Sequence, residues 1–178
     1  MSVFDQAFSI VVAHEGDFDA THADPGNWTG GVVGDGILKG TRWGISAAAY
    51  PSLNIAQLSQ ADAAAIYLSD YWNRIEGNAL PPPLALLVFD AAVNNGVGHA
   101  VRWLQSAVGV TPDGQLGPAT RAAISTTAAR IGGASLCAEF QAQRLAFMAA
   151  LPTWRIFGLG WARRLCKLPY QSISMGAS

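Results

Sequence analysis

The chain has 178 residues, 51% of them hydrophobic and 13% charged, with a formal net charge of −1. That is long enough for one globular domain of two lobes with a core of its own, and too nearly neutral to be drawn to nucleic acid or an anionic surface by a global field. No apolar run reaches the roughly 18 residues of a membrane span, since "LALLVFDAAV" is interrupted by Asp90, so no stable membrane insertion is expected.

The charge is unevenly placed. Residues 1–38 carry Asp5, Glu15, Asp17, Asp19, Asp24 and Asp35 and no Lys or Arg, whereas residues 114–178 carry seven basic residues against Glu139 alone. The start, "MSVFDQAFSIVVAHEG", has no basic segment before its apolar run and carries Asp5. It is therefore no conventional export signal, and the expected site of synthesis is a cytoplasm.

In chain order, Ser2 and Asp5 predict a capped helix start, and Phe4, Phe8 and Val11 recur at helical spacing. Eleven steps of about 100° place Glu15 within roughly 20° of Phe4 around the axis, on the buried face. Gly16 then suits the left-handed end of that helix. Residues 17–44, with "DPGN" and "GDG" turns, predict a long functional loop or a small irregular sheet. Helices are predicted shortly after Ser46, at 59–72 with Ser59 and Asp62 as a second cap pair, and at 81–95 behind the "PPP" opening. "GVGHAVRWLQSAVGV" predicts a further helix with Val97, Val101, Leu104 and Val108 on one face. "TPDGQLGPAT" predicts a turn and a new start at Pro118. Helices at about 135–151 and 160–168 follow, and then a small polar tail expected to be disordered. The fold class is mainly α, with a small irregular β or loop insert after the first helix. Cys137 and Cys166 have no CxxC spacing and read as buried thiols, a bridge between them remaining open.

The ionisable stretch "HEGDFDATHADPGNWTGG" raises the question of chemistry. His14, Glu15, Asp17, His22 and Asp24 could ligate a metal, but the second His of HExxH and the Gly and Glu of a calcium loop are missing, so no metal is expected. No Ser lies in a G-x-S-x-G elbow, and neither Cys sits in a catalytic motif. Carboxylate chemistry remains. Cleaving a glycosidic bond takes one carboxyl that keeps its proton for the leaving oxygen and a second group that manages water. An apolar stripe, the negative end of a helix dipole and neighbouring aspartates all favour a protonated Glu15. Asp24, in an open Asp-Pro-Gly turn, is less constrained. The plainer alternative for Glu15 is a helix-ending carboxylate that caps backbone N–H groups.

"EGDFDATHADPGNWTGG" followed by "GTRWGIS" resembles the N-terminal signature of glycoside hydrolase family 108, the lysozyme-like N-acetylmuramidases of bacteria and their phages. The resemblance implies Glu15 as general acid, Asp24 as second carboxylate and Thr41 as the hydroxyl preceding Gly44-Ile45. Asp17 stands where a second Gly is usual, and roughly a dozen residues are inserted between Trp28 and Thr41. "FDAAVNNGVGHAVRWLQSAVGVTPDGQLGPATRAAI" resembles the peptidoglycan-binding segment that accompanies this family. Its plainer reading is a turn between two core helices. Together these divide the chain into a catalytic lobe, 1–82, and a helical, peptidoglycan-binding-like lobe, 83–178.

Trp28, Trp43 and Tyr50 are candidates for stacking on sugar rings or, alternatively, for the core. Asp90 and Asn94, four apart on an apolar helix, read either as a buried hydrogen-bonded pair or as a substrate-binding wall. Arg155, Arg163, Arg164 and Lys167 form a basic cluster or a solvated face. The implied activity is cleavage of the β-1,4 bond between N-acetylmuramic acid and N-acetylglucosamine by a monomer that needs no cofactor and has bacterial peptidoglycan as its partner. Without an export signal, such an enzyme fits a phage endolysin released to the periplasm through a holin, or a bacterial enzyme with accessory secretion. The rival activities are a lytic transglycosylase and a non-catalytic wall-binding or secretion-assisting protein.

Overall fold

The computed structural model describes residues 1–12, 17–173 and 175. Glu15 with His14, the helix end expected at Gly16, and the C-terminal tail apart from Met175 lie outside the described residues. The chain forms two compact units, one of Phe8–Leu68 and one of Met1–Ala7 with Ser69–Ser178.

Helix α1 spans Val3–Val12. Its start is a reciprocal cap: the Asp5 amide donates to Ser2 Oγ at 3.0 Å and the Ser2 amide to Asp5 Oδ2 at 2.8 Å. Phe4, Ala7, Phe8 and Val12 make its buried face, while Val11 is only half-buried.

In the unit 8–68, residues 17–40 lead to a hairpin of β1 (Thr41–Arg42) and β2 (Ile45–Ser46), antiparallel with Thr41 opposite Ser46 and Arg42 opposite Ile45. No α-helix starts directly after Ser46. That residue is spent in β2, and "AAAY" closes a single turn, Tyr50 N–H to Ser46 O at 3.0 Å, before Pro51 disfavours helical backbone at Tyr50. Helix α2 (Gln60–Tyr67) carries the expected Ser59/Asp62 capping box. Ile45, Ala47, Ile55, Leu58 and Ala63 form the core of this unit, with Phe8 and Tyr67 edge to face at 5.6 Å.

The larger unit is built on α3 (Pro82–Asn95), whose residues Leu84 to Ala92 are all buried. A helix apolar on every side must be surrounded. Helices α4 (Val97–Ala107), α6 (Gly133–Ala149) and α7 (Trp154–Ile173) pack on α3, and α5 (Pro118–Ile131) packs on α6. Phe4, Trp72 and Phe89 meet edge to face at 5.5–6.0 Å beside α3. Gly96, at φ 88°, separates α3 from α4 in a backbone conformation that side-chain-bearing residues rarely adopt.

The last helix is more than twice the length expected, because it starts six residues earlier, at Trp154, and runs through Pro169 to Ile173. A proline there leaves the carbonyl of Leu165 without its helical donor. Gln141 Nε2 on α6 supplies one, at 3.2 Å. Among the described residues, no helix is long and apolar enough to cross a membrane.

Both cysteines are free thiols, so no bridge joins them. Cys137 is buried as expected, but Cys166 is exposed, because it lies on the outer side of α7. Burial pushes the Cys137 thiol up to about 11, which leaves little thiolate near neutral pH. Iodoacetamide at mildly alkaline pH is therefore expected to label Cys166 alone in the native chain and both cysteines after denaturation. Equal native labelling, read by peptide mass spectrometry, would contradict this packing.

Candidate active site

The chemistry-bearing part of unit 8–68 is organised by one buried amide. Asp24 opens the turn Pro25–Asn27, its Oδ1 accepting the Gly26 N–H at 2.8 Å. This fixes Asn27, which has no exposed surface. Asn27 Nδ2 donates to Asp19 Oδ2 and to Thr21 O, both at 3.1 Å, and its Oδ1 accepts the Thr41 hydroxyl at 2.7 Å. Its backbone carbonyl accepts the N–H groups of Lys39 and Gly40, each at 3.0 Å. Asp19 and Thr41 also pair through their backbones, at 2.7 and 2.9 Å. One side chain thus ties the Asp24 turn to Thr41 across the intervening residues.

The direction of these bonds matters. Nδ2 faces a carboxylate and a carbonyl, so Oδ1 is left to receive the Thr41 proton. The Thr41 oxygen then offers lone pairs alone to anything beyond it. Asp19 is held below its ordinary pKa of 3.8, first by the Thr21 hydroxyl and then by Asn27, so it is a fixed anion of the loop. Asp24 is exposed, with one oxygen committed to its own turn.

The segment inserted before Thr41 folds back on itself. Trp28 bridges Leu38, the Thr29 N–H donates to Ile37 O at 3.0 Å, and the Ile37 N–H donates to Thr29 Oγ1 at 2.8 Å. The insert returns the chain to Asn27, so Thr41 keeps its place despite the added residues. Val32, Val33 and Ile37 are exposed on this excursion.

The turn of the hairpin is Trp43-Gly44, with φ values of 53° and 72°. Two positive φ values in a two-residue turn match the twist of the strands, and Trp is an unusual occupant of the first position. It is held there by two bonds: Trp43 Nε1 donates to Leu58 O at 3.1 Å, and the Tyr67 hydroxyl donates to Trp43 O at 3.2 Å. A Cβ on Gly44 would stand 2.5 Å from that hydroxyl. Trp43 and Trp28 are both half-buried. Trp28 Nε1 donates to His22 O at 2.9 Å, and the two rings meet edge to face at 4.7 Å. Tyr50 is half-buried as well.

Asp90 and Asn94 belong to the other unit. Asp90 is completely buried, and both its oxygens are taken: Oδ2 by Arg144 Nη1 at 2.6 Å, Oδ1 by Arg164 Nε at 2.8 Å and Nη2 at 2.5 Å. Asn94 is exposed and donates to the Asp90 carbonyl at 2.8 Å and to Oδ1 at 3.3 Å. The buried pair of the sequence reading is here a network in which Asp90 holds arginines. Arg164 therefore leaves the expected basic cluster for an ion pair, while Arg155, Arg163 and Lys167 stay exposed.

Sequence reasoning missed Asn27 and Arg144. The signal for Asn27 lay in the Asp-Pro-Gly-Asn turn, and that for Arg144 in Asp90 itself, a charge in an apolar helix that requires a buried cation.

The polar residues of the second motif are consumed internally. Gln105, 1% exposed, donates to Asp113 Oδ1 at 2.7 Å and to Gln115 O at 2.9 Å, and accepts the Gly114 N–H at 2.8 Å. The Leu-Gln helix and the Asp-Gly turn form one clamp that sets the start of α5.

A family profile described as glycosyl hydrolase 108 matches residues 8–96, half of the chain and all of the Asp24–Asn27–Thr41 network. The chain belongs to the glycosyl hydrolase 108 family. A second profile, described as a predicted peptidoglycan domain, matches residues 99–166. Among solved structures, SagA of Brucella abortus is 28% identical over 98% of this chain and 96% of its own, with a TM-score of 0.78. No curated protein matches the chain. The mainly α, lysozyme-like fold accords with that membership, and this family 108 protein is a glycoside hydrolase whose substrate is peptidoglycan.

Removing the hub of the site should be costly. Asn27→Ala strips partners from Thr41 and Asp19 and is expected to destabilise this family 108 protein by about 1–3 kcal/mol. Thermal or urea melts check it, and a change below about 0.5 kcal/mol, as at an ordinary surface position, would contradict it.

Proposed function

We propose that this chain is an N-acetylmuramidase that hydrolyses the β-1,4 bond between N-acetylmuramic acid and N-acetylglucosamine. Glu15 protonates the leaving oxygen. Asp24 accepts a proton from the attacking water, and Thr41 orients that water by accepting a hydrogen bond from it. Water activated on the face opposite the acid inverts the anomeric centre, a geometry that places the two carboxyls about 6.5–9.5 Å apart. Trp28 and Trp43 offer ring faces to the sugars. Residues 8–96 cut and residues 99–166 grip the wall. The enzyme acts as a monomer without a cofactor. As a phage endolysin it reaches the periplasm through a holin.

The observation that carries this reading is the bond from Thr41 to Asn27 Oδ1, 2.7 Å long. It leaves an acceptor oxygen on a segment pinned to the Asp24 turn, and water activation needs acceptors there. The apolar residues Phe4, Ala7, Phe8 and Val12, buried on the helix that precedes Glu15 in sequence, support the reading.

Incubating purified sacculi with the protein is expected to release new reducing ends. Ends that are 1,6-anhydro sugars would replace the hydrolase with a lytic transglycosylase, and sedimentation with sacculi without cleavage would leave a wall-binding protein.

A further inference from the structure

Asp90, Arg144 and Arg164 leave a charge unbalanced. Among the described residues, Asp90 is the only carboxylate within ion-pair distance of either guanidinium. Two cations thus share one anion. The Arg144 side chain is 1% exposed and that of Arg164 38%. Burial draws the Arg144 pKa below its ordinary value, against the pull of Asp90. The buried Asp90–Arg144 pair is neutral, so the surplus positive charge falls on the partly exposed guanidinium of Arg164, where a further anion can reach it.

The fold leaves room for one. A cavity of about 110 Å³ opens against the same groups, lined by the polar Asn94, Asn95, Arg144 and Arg164 and by apolar residues that include Met148 and Trp161. That volume is several times what one water needs. Asn95 is oriented by Arg144, whose Nε donates to its Oδ1 at 3.0 Å, so the Asn95 Nδ2 donors remain for a guest. A lining that combines guanidinium and amide donors with a thioether and an indole suits a carboxylate borne on a carbon with a small apolar substituent. Arg144, Met148, Trp161 and Arg164 all lie in the segment matched as a peptidoglycan domain.

We propose that this cavity binds the free C-terminal carboxylate of a peptidoglycan stem peptide, with Arg144 and Arg164 facing the carboxylate and Met148 and Trp161 facing the methyl group of its terminal alanine. The site rests on peptidoglycan being the substrate. Asp90 is then a positioning residue that holds the two arginines without neutralising both.

The test uses the intact protein and two soluble probes, N-acetyl-D-alanyl-D-alanine and its C-terminal amide. Calorimetry or chemical-shift titration is expected to show saturable, salt-sensitive binding of the acid and at least about tenfold weaker binding of the amide, the loss of a hydrogen-bonded charge. Arg164→Gln, at the partly exposed edge of the cavity, is expected to weaken acid binding by a similar factor, while Arg155→Gln on the same helix leaves it unchanged. Equal binding of acid and amide, no binding of either, or wild-type affinity in Arg164→Gln would each overturn the site. Because the acid–amide contrast is read on the unaltered protein, instability of a variant does not blur it. Reducing-end release by the same preparation reports separately on the hydrolase: activity without acid binding overturns the cavity alone.

Discussion

Glu15→Gln is expected to lower reducing-end release from purified sacculi by about 10²–10⁴-fold, the usual contribution of a positioned general acid. The amide is nearly isosteric with the carboxyl and can still accept and donate hydrogen bonds. What it lacks is a proton it can give up to the leaving oxygen. A solvent-capping carboxylate at a helix end would lose little on the same exchange, so the size of the effect separates the two roles that the sequence allows. Near-normal activity in a folded variant would remove Glu15 from the mechanism and shift attention to Asp24, the acid that opens the turn of Asn27.

The second large effect is on stability. Asp90→Asn keeps the shape of the side chain but removes the charge that two guanidiniums share, and Arg144 cannot reach solvent because its side chain is 1% exposed. Breaking a buried ion pair from one side typically costs about 3–5 kcal/mol. For a chain of this size that corresponds to a fall in melting temperature of roughly 6–20 °C. Replacing Asp90 by Leu together with Arg144 by Met should recover part of the loss, since it removes the stranded charge as well as its partner. A melting temperature within a degree or two of wild type for Asp90→Asn, on the order of the change at an exposed position, would show that the network carries no such strain of charge.

Much of the architecture was legible because its causes are local. The Ser2/Asp5 and Ser59/Asp62 caps are chemistry within four residues, and both form reciprocal bonds as read. The prolines at 81–83 marked a helix start, and α3 begins there, at Pro82. What the sequence hid depends on distant partners. Pro169 reads as a stop, yet α7 continues because Gln141 satisfies the carbonyl that proline leaves open. "SAAAY" reads as a helix, yet Ser46 is claimed by pairing with Thr41. At the site, Asp24 and Thr41 could be named from spacing and resemblance. Asn27 could not be named as their link, because only the folded hairpin brings residue 41 back to residue 27. Arg144 and Asp90 are 54 residues apart and meet only when α6 packs on α3.

The most direct test of the proposed activity is to digest purified sacculi in water enriched in heavy oxygen and to sequence the soluble fragments by mass spectrometry. The expected product carries a reducing N-acetylmuramic acid with one heavy oxygen at its anomeric carbon, the atom delivered by the attacking water. Unlabelled 1,6-anhydro ends, or label on N-acetylglucosamine ends, would contradict an N-acetylmuramidase that works by hydrolysis.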